Sequence, residues 1–217
     1  MLLSMVTAGC RRYHPPVQDI EGAIRSACEA GELNVGATCA IEGYGAEVLG
    51  FLVASLRSHE DAGEVFAMAS EDMWRGLPNF RWECSFRTWF YCLARNAAAR
   101  YRRGPHERKG RFVPLSAVTE AAARVRTQTL TALRTEARSG LAQLREELDP
   151  TDQELLILRL DRKLSWDDIA RVLCADEICD AESLRRASAR LRKRLQLLKR
   201  TIRERARAVG LLPHDDN

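Results

Sequence analysis

The chain has 217 residues, a size for one large domain or two small ones. Apolar residues at 46% suffice for packed cores, whereas 6% aromatics, 29% charges and scarce glycine and proline exclude an all-β chain with frequent turns. The net charge of +4 conceals two basic blocks on an otherwise acidic chain: 95–111 holds seven Lys/Arg against one acid, and 181–207 holds eleven against two. That distribution is the footprint of two separate nucleic-acid contacts.

In chain order, residues 1–16 read as a leader, with an apolar start too short and too poor in basic residues for a signal peptide. Ile20, Ala23, Ile24 and Ala27 have helical spacing, and Gly31 is a stop signal. Val48, Leu49, Leu52, Val53 and Leu56 form an apolar stripe, and another helix begins at Asp61 and runs to Pro78. Phe86 to Tyr101 sets Trp89, Phe90, Leu93 and Ala97 on one side, with Phe86, Trp89 and Phe90 read as core. Gly104-Pro105 closes this first unit, 17–104. Residues 105–140 read as a linker, helix-compatible from Val118 to Arg138.

The second unit, 141–212, opens near Leu141. Thr151/Glu154 and Ser165/Asp168 have capping-box spacing ahead of two short helices. A long basic helix follows, with Leu184, Leu191, Leu195, Leu198 and Ile202 at heptad-like spacing. Two short helices, a turn and a long basic helix are the order of a helix-turn-helix module. The expected architecture is all-α: two small helical domains joined by a linker.

Other chemistries find little support. Seven cysteines form no paired framework, and Cys174 and Cys179 have no histidine near them in sequence, so neither disulfides nor zinc is expected. Four scattered histidines, no nucleophile–base pairing and no Gly-rich phosphate loop argue against an enzyme, and no cofactor is expected. No apolar run is read as approaching the roughly 20 residues that span a bilayer, so membrane insertion is not expected.

The block Trp74-Arg75-Gly76-Leu77-Pro78-Asn79-Phe80-Arg81-Trp82-Glu83-Cys84-Ser85-Phe86-Arg87-Thr88-Trp89-Phe90-Tyr91-Cys92-Leu93-Ala94-Arg95-Asn96 is more specific. It closely resembles region two of RNA polymerase sigma factors of the extracytoplasmic-function group, within the sigma-70 family. Leu148 to Leu195 resembles region four of the same family less tightly. The resemblance implies a bacterial, cytoplasmic transcription initiation factor. Its expected partners are core RNA polymerase (the β′ clamp and β flap), promoter DNA and, as for many relatives, an anti-sigma factor. In these terms 17–104 is a region-two bundle and 141–212 a region-four helix-turn-helix.

Carried over residue by residue, Asp61, Glu64, Met68 and Glu71 fall on the polymerase-binding helix, with Ala67-Met68 replacing the usual Gln-Glu. Phe80 to Ser85 corresponds to the loop that captures a flipped base of the melted minus-ten element. There Arg81 and Trp82 supply a cation and a π-face. Asn96 stands at a polar pocket position, and Arg95, Arg100 and Arg103 would follow phosphates. In the recognition helix Ser183, Arg185, Arg186 and Arg190 are the candidates for base edges. The turn from Leu173 to Leu184 is longer than the family's, and Ser188 replaces an apolar residue. A free-standing helix-turn-helix regulator is the alternative; it leaves the Trp74–Asn96 block unexplained.

Overall fold

The computed structural model describes residues 19–104, 116–135 and 147–208, and every regular element among them is helical. They are α1 (Ile20–Glu29), α2 (Leu33–Leu56), α3 (His59–Gly76), α4 (Phe86–Arg103), α5 (Ser116–Thr135), α6 (Pro150–Leu156), α7 (Trp166–Leu173) and α8 (Ala181–Ala208). Single turns at Leu77–Asn79, Ile157–Asp161 and Ala175–Glu177 complete the set. The expected leader, the basic stretch 105–115 and the start of the second unit near Leu141 lie outside the described residues.

Local chemistry sets the helix starts. Asp19, Ser58, Ser85 and Ser165 accept hydrogen bonds from the backbone N–H of Gly22, Asp61, Thr88 and Asp168. The Ser165/Asp168 pairing therefore forms as its spacing predicts. The Thr151/Glu154 pairing does not: Asp149 caps α6, accepting from Thr151 N at 2.9 Å, and Pro150 takes the first helical position. Glu154 is then too far along the helix to reach back to the cap, and it finds a partner elsewhere.

The organising element is α2. It is apolar around most of its circumference, and such a helix must be covered on many sides. Helices α1, α3, α4, α5 and α6 all pack on it, and Ile41, Val48, Leu49, Phe51 and Leu52 are fully buried. By length and composition α2 is apolar enough to cross a membrane, which amends the sequence reading; 44% of its apolar window is buried inside the fold. Its many Gly and Ala residues, together with Glu42 and Glu47, disguise the run in the sequence.

Helix α5 lies against α2 and α3. Two glycines permit the close approach: a Cβ at Gly45 would stand 3.0 Å from Val125 Cγ1, and one at Gly63 would stand 3.0 Å from Arg126 Cδ. Arg124 also pairs with Glu42 at 2.9 Å.

Helix α4 is aimed by a residue of α1. Glu21 accepts from the N–H groups of Phe86 (2.9 Å) and Arg87 (3.0 Å) and from the Tyr44 hydroxyl (3.1 Å), capping α4 from 65 positions away in sequence. Burial and the Glu21 carboxylate push the Tyr44 phenol well above its usual range, so it remains a donor. Arg87 clamps Glu47 with two bonds of 2.6 and 2.7 Å, tying α4 to α2.

Helices α6, α7 and α8 pack on one another, and α6 also touches α2 while α7 touches α4. Ser188, read from sequence as out of place, is 2% exposed. Its hydroxyl donates toward Asp167 Oδ1 (2.7 Å) and Trp166 O (3.2 Å), pinning α8 to the start of α7. Glu21→Ala leaves two N-terminal amides of α4 without their acceptor; a loss of about 2 kcal/mol is expected in thermal or urea unfolding, with Glu21→Gln recovering part of it.

Candidate nucleic-acid and partner-binding surface

The loop from Phe80 to Ser85 rests on a bed of rings. Phe80 stacks on Trp89 with centroids 4.5 Å apart and 20° between planes. Trp82 lies 4.8 Å from Phe80 and 6.3 Å from Phe86. Phe86 is fully buried beneath and Trp89 half-buried beside it, while Phe90 is fully buried against Phe66 of α3, in line with their reading as core. Trp82 has φ +58°, which a bulky residue adopts only when its surroundings impose it. The Arg25 guanidinium of α1 sits 4.5 Å above the Trp82 ring. Arg81 is exposed next to this half-buried ring, so the loop presents a cation at the edge of an aromatic platform.

The polar residues of α4 divide over two faces. Asn96, Arg100 and Arg103 recur at spacings of four and three, hence on one side; Arg95 and Arg102, seven apart, lie on another. Asn96 and Arg103 are exposed, and Arg100 pairs with Asp72 of α3. Arg95 instead donates to Glu154 of α6 at 3.3 Å, and Arg102 donates to Ser55 of α2 at 2.9 Å. The six residues predicted for a single strand-binding surface thus fall into a loop pair, a three-residue face and one arginine turned toward α6.

On α3, Asp61, Glu64, Met68 and Glu71 recur at spacings of three, four and three, so they share a side. Asp61 is half-buried and accepts from the Tyr101 hydroxyl. Glu64 is exposed, Met68 packs partly on the core, and Glu71 pairs with Arg75 at 2.5 Å. The side is acidic, with one apolar residue at its middle.

On α8, Ser183 closes the preceding turn. Its N–H and hydroxyl donate to Asp180 Oδ1 at 2.7 and 2.8 Å, and they hold that carboxyl below its usual range. Arg185 and Arg186 are about 70% exposed and both reach Glu182, at 2.9 and 3.9 Å. Arg190 pairs with Glu177 of the turn between α7 and α8. The guanidinium groups of Arg159 and Arg192 both lie over the Trp166 ring, 4.7 and 5.8 Å from its centroid.

Sequence reasoning missed Arg25, Glu21 and Glu154. The first two lie ahead of the recognisable block, with no local pattern linking them to it. Glu154 was hidden by a plausible local role as a cap. A test of the loop follows from its geometry. Phe80→Ala is expected to cost about 2 kcal/mol by removing a stacked ring. Trp82→Gly is expected to cost less, because it also relieves the left-handed backbone, and thermal unfolding of the two variants ranks them.

No curated protein and no solved structure matches the chain. Residues 40–108, which hold most of α2, all of α3, the Phe80–Ser85 loop and α4, match the family model Sigma-70 region 2.

Proposed function

We propose that the chain is a sigma factor of the extracytoplasmic-function kind. It binds core RNA polymerase in the bacterial cytoplasm, brings it to promoters, holds the melted minus-ten strand and catalyses no reaction itself. One observation carries this reading: the stretch that matches region two is the stretch where an acidic helix side, an aromatic loop with an exposed cation and a basic helix occur together.

Each part has a task that suits its chemistry. The acidic side of α3, Asp61, Glu64 and Glu71 around Met68, meets a basic helical surface of the polymerase clamp. The Arg81/Trp82 loop stacks and neutralises an unpaired base, an interaction available only once the duplex is open. Asn96, Arg100 and Arg103 follow the strand's phosphates, giving affinity and register. Arg185 and Arg186 of α8 enter a major groove upstream, with Glu182 giving way to phosphate or base edges. The β flap and an anti-sigma factor are further partners of this reading, and 17–104 and 141–212 are its two working units.

Co-purification with core polymerase followed by run-off transcription tests the proposal: the chain is expected to form a stable holoenzyme and yield a discrete transcript. Tight duplex binding with no affinity for core would instead establish a free-standing helix-turn-helix regulator. For the second unit, Arg185→Ala and Arg186→Ala are each expected to lower the salt slope of duplex binding by about 1 where the arginine meets a phosphate. Glu177→Ala, which releases Arg190, is expected to tighten duplex binding at low salt.

A further inference from the structure

The junction between α6–α7 and the α2–α4 layer is built around one carboxylate. Glu154 has a side chain only 4% exposed. Its Oε1 accepts from the Ser55 hydroxyl of α2, and its Oε2 accepts from Arg95 Nε of α4. Ser55 is itself shared, because Arg102 Nη2 donates to both its carbonyl and its hydroxyl oxygen at 2.9 Å. Around this centre, Arg57 Nη2 donates to Leu148 O at 2.5 Å, and Cys92 Sγ lies 3.6 Å from Arg171 O. One acid of the second helical group thereby holds Arg95, a cation otherwise free to join the basic run of α4.

Geometry distinguishes this pair from the clamps of the fold. Arg87 grips Glu47 through two short bonds within the α1–α5 layer. Arg95 meets Glu154 through a single contact of 3.3 Å, long for a charge-assisted bond. Arg95 also remains 30% exposed, so an oxyanion approaching from solvent can compete for it. A carboxylate and a phosphodiester are singly charged acceptors of the same guanidinium, and one excludes the other at a given N–H.

We infer that Glu154 is an intramolecular latch that occupies on Arg95 the place of a nucleic-acid phosphate and holds α6–α7 against α4 until nucleic acid displaces it. The inference rests on the reading of α4 as a nucleic-acid surface. The closed arrangement then makes strand binding cost the opening of the junction, so apparent affinity falls by the fraction of chains that are open.

Cys92 reports on the junction. It is half-buried in the α4–α7 contact, and burial together with the neighbouring Cys84 pushes its thiol up to about 12, so it reacts slowly while the junction is closed. The experiment is a brief iodoacetamide pulse on the full chain, with alkylation of Cys92 mapped by mass spectrometry, alongside affinity for a mixed-sequence single-stranded DNA at fixed salt. In Glu154→Gln, Cys92 is expected to alkylate severalfold faster and the DNA to bind about fivefold tighter, as the population cost is lifted. Saturating wild-type protein with the DNA is expected to release Cys92 as well, a measurement that needs no variant to fold.

Unchanged Cys92 protection both in Glu154→Gln and in DNA-saturated wild type overturns the latch, whatever the affinities. Release of Cys92 in the variant with unchanged DNA affinity overturns the competition for Arg95. Release of Cys92 with no DNA binding by either protein overturns the nucleic-acid reading of α4, and the latch with it.

Discussion

A helix that is apolar on most sides cannot stand at a surface, and this constraint on α2 arranges everything else. Five other helices cover it, each contributing what its own chemistry allows. Helix α1 brings Glu21, which caps α4; α4 brings Arg87, which returns to Glu47 on α2 itself. The aromatic loop is a by-product of the same packing. With Phe86 and Trp89 of α4 beneath them, Phe80 and Trp82 have a floor to rest on, and Trp82 is held in a left-handed backbone whose cost of about 1–3 kcal/mol is compensated elsewhere. Neighbouring rings and Arg25 thus hold the loop in place, and on the proposed reading less ordering entropy is lost when a base stacks on it.

Charge is handled differently in the two halves. In the first, most cations of α4 already have carboxylate or hydroxyl partners on neighbouring helices, which orients them in place. In the second, Arg185, Arg186 and Arg190 are strongly exposed and paired with acids of the same helix or the adjoining turn. Exposed pairs of this kind are worth little and are screened by salt, so they give way readily to phosphate. The turn between α7 and α8 matters through Glu177, which reaches Arg190 from the turn's own short helix.

Much of the secondary structure was legible because it depends on neighbours in sequence. The Ser165/Asp168 box, the stop near Gly31 and the leucines of α8 follow from spacing alone. The Trp74–Asn96 block was legible as a site because its residue choices are unusual and continuous. What pairing across the fold decides was not legible. Thr151/Glu154 had the right spacing for a cap, yet Asp149 and Pro150 took that role and left Glu154 for Ser55 and Arg95. Ser188 looked anomalous until Asp167 stood opposite it. Nothing local tells that Gly45 and Gly63 are seats for α5, since the shape they receive lies more than 60 positions away.

The seating of α5 has a consequence for how far the second helical group can travel. With α5 fixed on α2 and α3, only residues 136–149 connect it to α6, and fully extended they reach at most about 50 Å. The α6–α7 face therefore never leaves the neighbourhood of α4, and its local concentration there is on the order of millimolar. Contacts that would be weak between separate molecules at cellular dilution, Glu154 with Ser55 and Arg95 and Arg57 with Leu148 O, act here at that local concentration. The tether supplies strength that each bond alone lacks.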